Sequence, residues 1–200
     1  MKEPFVEFIG RELGTGVLLI ACGLPGTWKT ETTEEVAKIK GYTILRSDLI
    51  RLEVLKNENI FDEKVASDMG KRTTVYDEMF LRAEESVRDG DGVILDATFV
   101  TQALRRRAAA IAAKHNLTFV ILQTDCPQEV SIGRILNRTK ENYESNALTE
   151  EAYLNNKKRF EAVDLDDLKN LYPSLNIIHL TVDTRSDPPE DWYVIGMEKR

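Results

Sequence analysis

A chain of 200 residues, 42% hydrophobic and 30% charged, can bury one sizeable core and is short for two, so a single domain over 1–200 is expected. Its net charge of −7 argues against a general grip on nucleic acid, which needs clustered Lys and Arg, and leaves only a local basic channel as a route to it. No run of about 18 apolar residues is present to span a membrane, Met1-Lys2-Glu3-Pro4 lacks a basic-then-apolar signal pattern, and Cys22 and Cys126 read as buried thiols, so a cytoplasmic protein is expected.

Pro4 to Leu13 carries Phe5, Phe8 and Ile9 at helical spacing and stops near Gly14, which predicts a short leading helix. The apolar run Val17 to Ala21 predicts a strand, and Cys22-Gly23-Leu24-Pro25-Gly26-Thr27-Trp28-Lys29-Thr30 follows it. Set against the GxxxxGK[ST] pattern, Gly23, Lys29 and Thr30 match, while Trp28 stands where the second glycine should be. A strand, a glycine turn and a helix N-terminus together aim backbone N–H groups at an anion, so phosphate can bind there without a charged side chain. Gly23, Leu24, Pro25, Gly26, Thr27, Trp28, Lys29 and Thr30 are therefore candidate ATP-binding residues. Lys29 supplies a mobile charge for the β- and γ-phosphates, and the Thr30 hydroxyl is a candidate Mg²⁺ ligand. At Trp28 the ring either swings away, impairs nucleotide binding, or lies beside the base or sugar; the intact remainder of the loop favours retained binding.

A helix from Thr30 to Ile39 ends at the cap signal Lys40-Gly41, and Tyr42 to Leu45 predicts a second strand. Ligands in an open α/β sheet sit beyond the carboxyl ends of the strands, so Asp48 would face the same crevice as the loop and could take a proton from a hydroxyl. The plainer role for Asp48 is a helix N-cap. Arg51, one turn on, is a candidate substrate or phosphate contact. A long helix is predicted from Asp62 to Asp89, with Val65, Met69, Tyr76, Met79, Phe80, Ala83 and Val87 as its core stripe; Lys71 and Arg72 sit off that stripe, where they could reach a substrate or, more plainly, form a solvated face. Val93 to Thr98 predicts a strand whose Asp96 is placed for Mg²⁺ or substrate, or else caps the next helix, with Thr98 lining the same edge.

Thr101 to His115 reads as helix, Thr118 to Gln123 as strand, and Gln128 to Asn137 as a helix carrying Arg134, with Arg138 one turn further on the same face. The polar stretch at about 138–148 is built like a lid, whose bordering arginines can clamp transferring phosphate. Another helix begins at Thr149 and runs past Phe160, Asp164 to Leu171 reads as an acidic connection, and Asn176 to Val182 as the fifth strand. Pro188-Pro189 end regular structure, and the tail packs back on the domain through Trp192 to Ile195. The basic triplets Arg105-Arg106-Arg107 and Lys157-Lys158-Arg159 fan around their helices and read as solvated faces.

The loop at Gly23 to Thr30, Ser47-Asp48 with Arg51, Asp96-Ala97-Thr98 and the pair Arg134 and Arg138, in that order, resemble the P-loop kinases grouped with AAA-type ATPases. That family includes polynucleotide kinases and zeta-toxin-like small-molecule kinases, and the resemblance covers Val17 to about Asp183. It implies an α/β/α sandwich with a mainly parallel five-stranded sheet, a helical lid, and ATP with Mg²⁺ as cofactors. Residue by residue, Lys29 and Thr30 would hold phosphates and metal, Asp48 would be the general base, and Arg51 would position the acceptor. Arg138 would reach the transferred phosphate and Arg134 the adenine and ribose. The expected activity is transfer of the ATP γ-phosphate to a hydroxyl of a small molecule. A polynucleotide 5′-hydroxyl kinase is the alternative enzyme, and a non-catalytic ATP-binding protein the alternative if Trp28 abolishes turnover.

Overall fold

The computed structural model describes residues 1–60, 65, 68–89, 92–137 and 149–200. Among them, one sheet of seven strands has the order β1-β7-β6-β5-β2-β4-β3. Its parallel part comprises β2 (Val17–Cys22), β3 (Thr43–Arg46), β4 (Val93–Asp96), β5 (Thr118–Asp125) and β6 (Ile177–Asp183). All six residues of β2 are buried, as a central parallel strand covered on both faces requires.

Period-two alternation divides the strands between two cores. Leu18, Ile20 and Cys22 of β2, with Val93 and Leu95 of β4, pack against α3 (Ser47–Val54), α4 (Met69–Ser86), α5 (Gln102–Lys114) and α8 (Leu165–Leu171). Val17 and Leu19 pack on the other face with α1 (Phe5–Glu12) and α2 (Lys29–Lys40), which contribute Phe5, Phe8, Ile9 and Val36. The result is the expected three layers, α/β/α. Helices α6 (Gln128–Leu136) and α7 (Glu150–Arg159) follow β5 in the chain and pack on each other. No helix among the described residues is long and apolar enough to cross a membrane.

The structure departs from the sequence expectations in several places. The five parallel strands are joined by two antiparallel ones, β7 (Tyr193–Lys199) on β6 and β1 (Glu3–Pro4) on β7. Regular structure therefore resumes after Pro188-Pro189, because Trp192 and Val194 are buried against the α1 core and draw the tail into the sheet. Asp164 to Leu171 is no loop: Asp164 accepts the Asp167 N–H at 2.9 Å and caps α8. Helix α7 stops at Arg159, where Phe160 turns extended, rather than running on past it. Cys22 is buried as expected, but Cys126 is only half-buried.

Arg105 overturns the reading of its triplet as a solvated face. It is 0% exposed, and its guanidinium donates to the carbonyls of Phe99 at 3.0 Å, Ala162 at 3.0 Å and Glu161 at 2.7 Å. Its neighbours Arg106 and Arg107 do face solvent and pair with Asp167 and Asp77. The long helix does not run unbroken from Asp62: Asp68 is extended and caps α4, which starts at Met69, and Met69 is 55% exposed rather than core. Residues 62–64 and 66–67 of that stretch, and Arg138 with the stretch 138–148, lie outside the described residues.

Candidate active site

The chain leaves β2 into a turn that only glycine can make. Gly23 has φ +147°, and a Cβ there would meet Thr124 Oγ1 at 2.5 Å; Gly26 has φ +77°. Thr27 is buried beneath the loop, its hydroxyl shared with Thr124 Oγ1 at 2.6 Å, and Thr184 donates to the Thr27 carbonyl at 2.9 Å. The loop is thus stitched to β5 and to the segment after β6. Among the described residues no backbone carbonyl takes the N–H of Gly26, Thr27 or Trp28, which suits an anion nest. Lys29 begins α2, and its ammonium donates to the Leu24 carbonyl at 2.7 Å, folded over the loop.

Trp28 takes the conformation of the glycine it replaces, φ 56° and ψ 36°, at a cost of about 1–2 kcal/mol for a residue with a Cβ. Its ring lies away from the loop. The indole Nε1 donates to Asp187 at 3.2 Å, and the Arg134 guanidinium stacks over the ring at 4.5 Å. Arg134 is correspondingly not a solvent-facing arginine: its side chain is 8% exposed, pairs with Asp187 at 2.9 Å, and donates to the Thr184 carbonyl at 2.9 Å.

The strand order sets the rest of the site, since β4 lies between β2 and β3. Asp96 at the end of β4 therefore sits between the loop and Asp48, and accepts the Thr30 hydroxyl at 2.7 Å. Neither aspartate caps a helix as the plainer alternatives had it. Thr101 caps α5, while Asp48 lies inside the first turn of α3 and pairs with Arg51. The Thr98 carbonyl accepts the Gly23 N–H at 3.4 Å, which ties this edge to the loop.

A sequence model of the AAA domain family matches residues 18–163. The chain belongs to the AAA domain family. No curated protein sequence matches it. Among solved structures, this AAA domain is similar to a sugar kinase from Janibacter sp. HTCC2649, with 18% identity, a TM-score of 0.61, and coverage of 88% of this chain and 89% of that one. A gluconokinase from Sinorhizobium meliloti 1021 gives 16% identity, a TM-score of 0.60, and coverage of 87% and 85%. Chaetomium thermophilum Kti12 in complex with ADP-AlF3 gives 18% identity, a TM-score of 0.56, and coverage of 74% and 81%. At these identities the likeness establishes a P-loop kinase fold.

Electrostatics in the AAA domain centre on Asp96. Burial pushes its carboxyl up to about 6 from an ordinary 3.8; the Thr30 hydrogen bond and the charges of Lys29 and Arg46 oppose that rise, and Asp48 adds to it. A raised carboxyl favours the folded state when protonated, so its contribution is complete below about pH 4 and is lost as pH rises through about 6. Asp96→Asn, which keeps the Thr30 acceptor without the charge, is expected to raise stability at about pH 8 by roughly 1–3 kcal/mol and to bring little at about pH 4. Urea midpoints at the two pH values measure this, and an equal gain at both would refute the assignment.

Sequence reasoning passed over Arg46 and Tyr76. Arg46 sits in register with Asp96 across β3 and β4, its Nε 3.8 Å from the carboxylate. Tyr76 is in the core as expected, and its hydroxyl in addition lies 3.5 Å from Thr98 Oγ1 and accepts the Phe99 N–H at 3.3 Å. The register of β3 on β4 is the signal that would have found Arg46, and it is invisible in one strand alone.

Proposed function

We propose that the chain is an ATP-dependent phosphotransferase that moves the γ-phosphate of ATP to a hydroxyl of a small molecule. The observation that carries this is the row of groups along one sheet edge: Lys29 and Thr30 after β2, Asp96 after β4 in contact with Thr30, and Asp48 after β3. We take the chain as one unit over 1–200.

The loop amides and Lys29, released from the Leu24 carbonyl, would cradle the β- and γ-phosphates. The stacked pair Arg134 and Trp28, tied to Asp187 after β6 and so on the opposite side of β2 from β4 and β3, would form a shelf for the nucleoside. The Thr30 hydroxyl and Asp96 carboxylate are a hard-oxygen pair that fits Mg²⁺, held directly or through water, and the ion when bound would offset phosphate charge. Arg51 would orient the acceptor beside Asp48. The acceptor oxygen forms a bond to the γ-phosphorus, the bond from that phosphorus to the β,γ-bridging oxygen breaks, ADP departs, and the hydroxyl proton passes to the Asp48 carboxylate. The net charge of −7 favours a small-molecule acceptor over a polynucleotide.

Calorimetric titration with Mg²⁺ and a non-hydrolysable ATP analogue tests the nucleotide half of this reading. Saturable binding by the natural chain is expected, with Trp28→Gly within about tenfold of it, because the indole is occupied by Arg134 and Asp187 rather than by the phosphate cradle. Binding that emerges only in Trp28→Gly would instead favour a degenerate, non-catalytic loop.

A further inference from the structure

Arg72, off the core stripe in the sequence reading and there either solvated or within reach of a substrate, lies under the charges of two other arginines. Met69, Arg72 and Tyr76 follow one another at three- and four-residue steps and so share a face of α4. At one end of that face the Arg159 Nη2 contacts Met69 Sδ at 2.9 Å, which brings the end of α7 against the start of α4. At the other end Tyr76 meets Thr98 and the Phe99 amide, beside the loop that follows Asp96. Helix α3 packs on α4 and delivers Arg51, the partner of Asp48.

Arg51 and Arg159 are thus both carried to the helix that bears Arg72, near enough for their charges to act on it. Burial pulls the Arg72 guanidinium below its ordinary range; the Tyr76 phenol opposes that fall, and the smaller like-charge effects of Arg159 and Arg51 add to it. Among the described residues no carboxylate pairs with Arg72 or Arg159. A half-buried arginine held against two others costs stability unless an anion completes the cluster. Guanidinium groups match the planar fork of a carboxylate and the oxygens of a phosphate, and bind them with charge-assisted hydrogen bonds.

We propose that the acceptor is itself an anion: a small hydroxyl compound whose own phosphate or carboxylate group is held by Arg51, Arg72 and Arg159 while its hydroxyl faces Asp48. This rests on the kinase reading above and names its substrate class.

The test uses three compounds with one carbon skeleton, namely glycerol 3-phosphate, glycerate and glycerol, titrated calorimetrically into the full chain saturated with ADP. At least one of the two anions is expected to bind saturably where glycerol does not, and the better of them identifies phosphate or carboxylate as the group. Arg72→Gln and, at an exposed position, Arg159→Gln should each weaken that binding by about tenfold or more, the loss of one hydrogen bond to a charged group, with ADP affinity unchanged. Arg72→Gln should also melt no lower than the natural chain, since it removes an uncompensated charge. Anions that bind no better than glycerol, or equally well to both variants, would overturn the proposal. Failure of ADP to bind would sink the kinase reading separately, and the same comparison run on the protein alone would still decide the anion site.

Discussion

Asp48→Asn is expected to lower phosphoryl transfer by about 10²–10⁴-fold, the usual contribution of a positioned general base, while ADP binds as before. Asp48 stands at the carboxyl end of β3, with Asp96 on the neighbouring strand between it and the nucleotide loop, so in the proposed reaction it would face the acceptor rather than the nucleotide. An asparagine keeps the shape and the partner of Arg51 but cannot take the proton of a hydroxyl. A loss through Asp48 as base falls on kcat, whereas a loss through disordered Arg51 falls on KM, so the two are separable in one kinetic series. The substitution carries a second signature, because the Asp48 charge helps to raise the Asp96 carboxyl. Without it that carboxyl moves back toward its ordinary value, and the pH dependence of stability shifts to lower pH with it. A variant that transfers phosphate within about threefold of the natural chain would remove Asp48 as the base, although its place in the crevice would stand.

Arg105→Met should cost about 3–5 kcal/mol of stability, the range for breaking a fully buried charged network, and unfold the chain well below the natural urea midpoint. The side chain is a hub. Besides the carbonyls of Phe99, Ala162 and Glu161 it reaches Gln102 Oε1 at 3.2 Å and Cys22 Sγ at 3.6 Å. It therefore ties the loop after β4 and the connection after α7 to the strand that carries the phosphate loop. Methionine fills the volume but leaves those carbonyls buried without a donor, and each such group costs about 1–3 kcal/mol. Lysine should rescue little, since one ammonium with three donors cannot span acceptors arranged around a planar fork. A loss under about 1 kcal/mol for Arg105→Met would mean that water replaces the guanidinium and that the hub is dispensable.

The parts of this protein legible in the sequence are those whose chemistry is contiguous. A buried strand, a glycine turn and a helix that opens with Lys29-Thr30 lie within one short stretch, so the loop could be identified without knowing what packs on it. Asp48 and Asp96 were legible as strand-end carboxylates for the same reason, as were the five parallel strands, each a short apolar run between turn or helix signals.

What needed the tertiary structure is what depends on partners far along the chain. The direction of the Trp28 ring is decided by Asp187 and Arg134, neither of which has any local relation to the loop. Arg105, Arg106 and Arg107 are alike in sequence, and helical spacing only says that they point in different directions. Which direction meets protein rather than water is decided by the segment at Glu161 and Ala162 and by the strand beneath. The same holds for the tail, where two prolines end one element but the burial of Trp192 and Val194 starts another. It holds again for Arg51, Arg72 and Arg159, which come from three helices and act on one another's charge only because α3 packs on α4 and Arg159 reaches Met69. Local sequence sets the period and the caps of an element; which of its faces is covered, and by what, is a property of the whole fold.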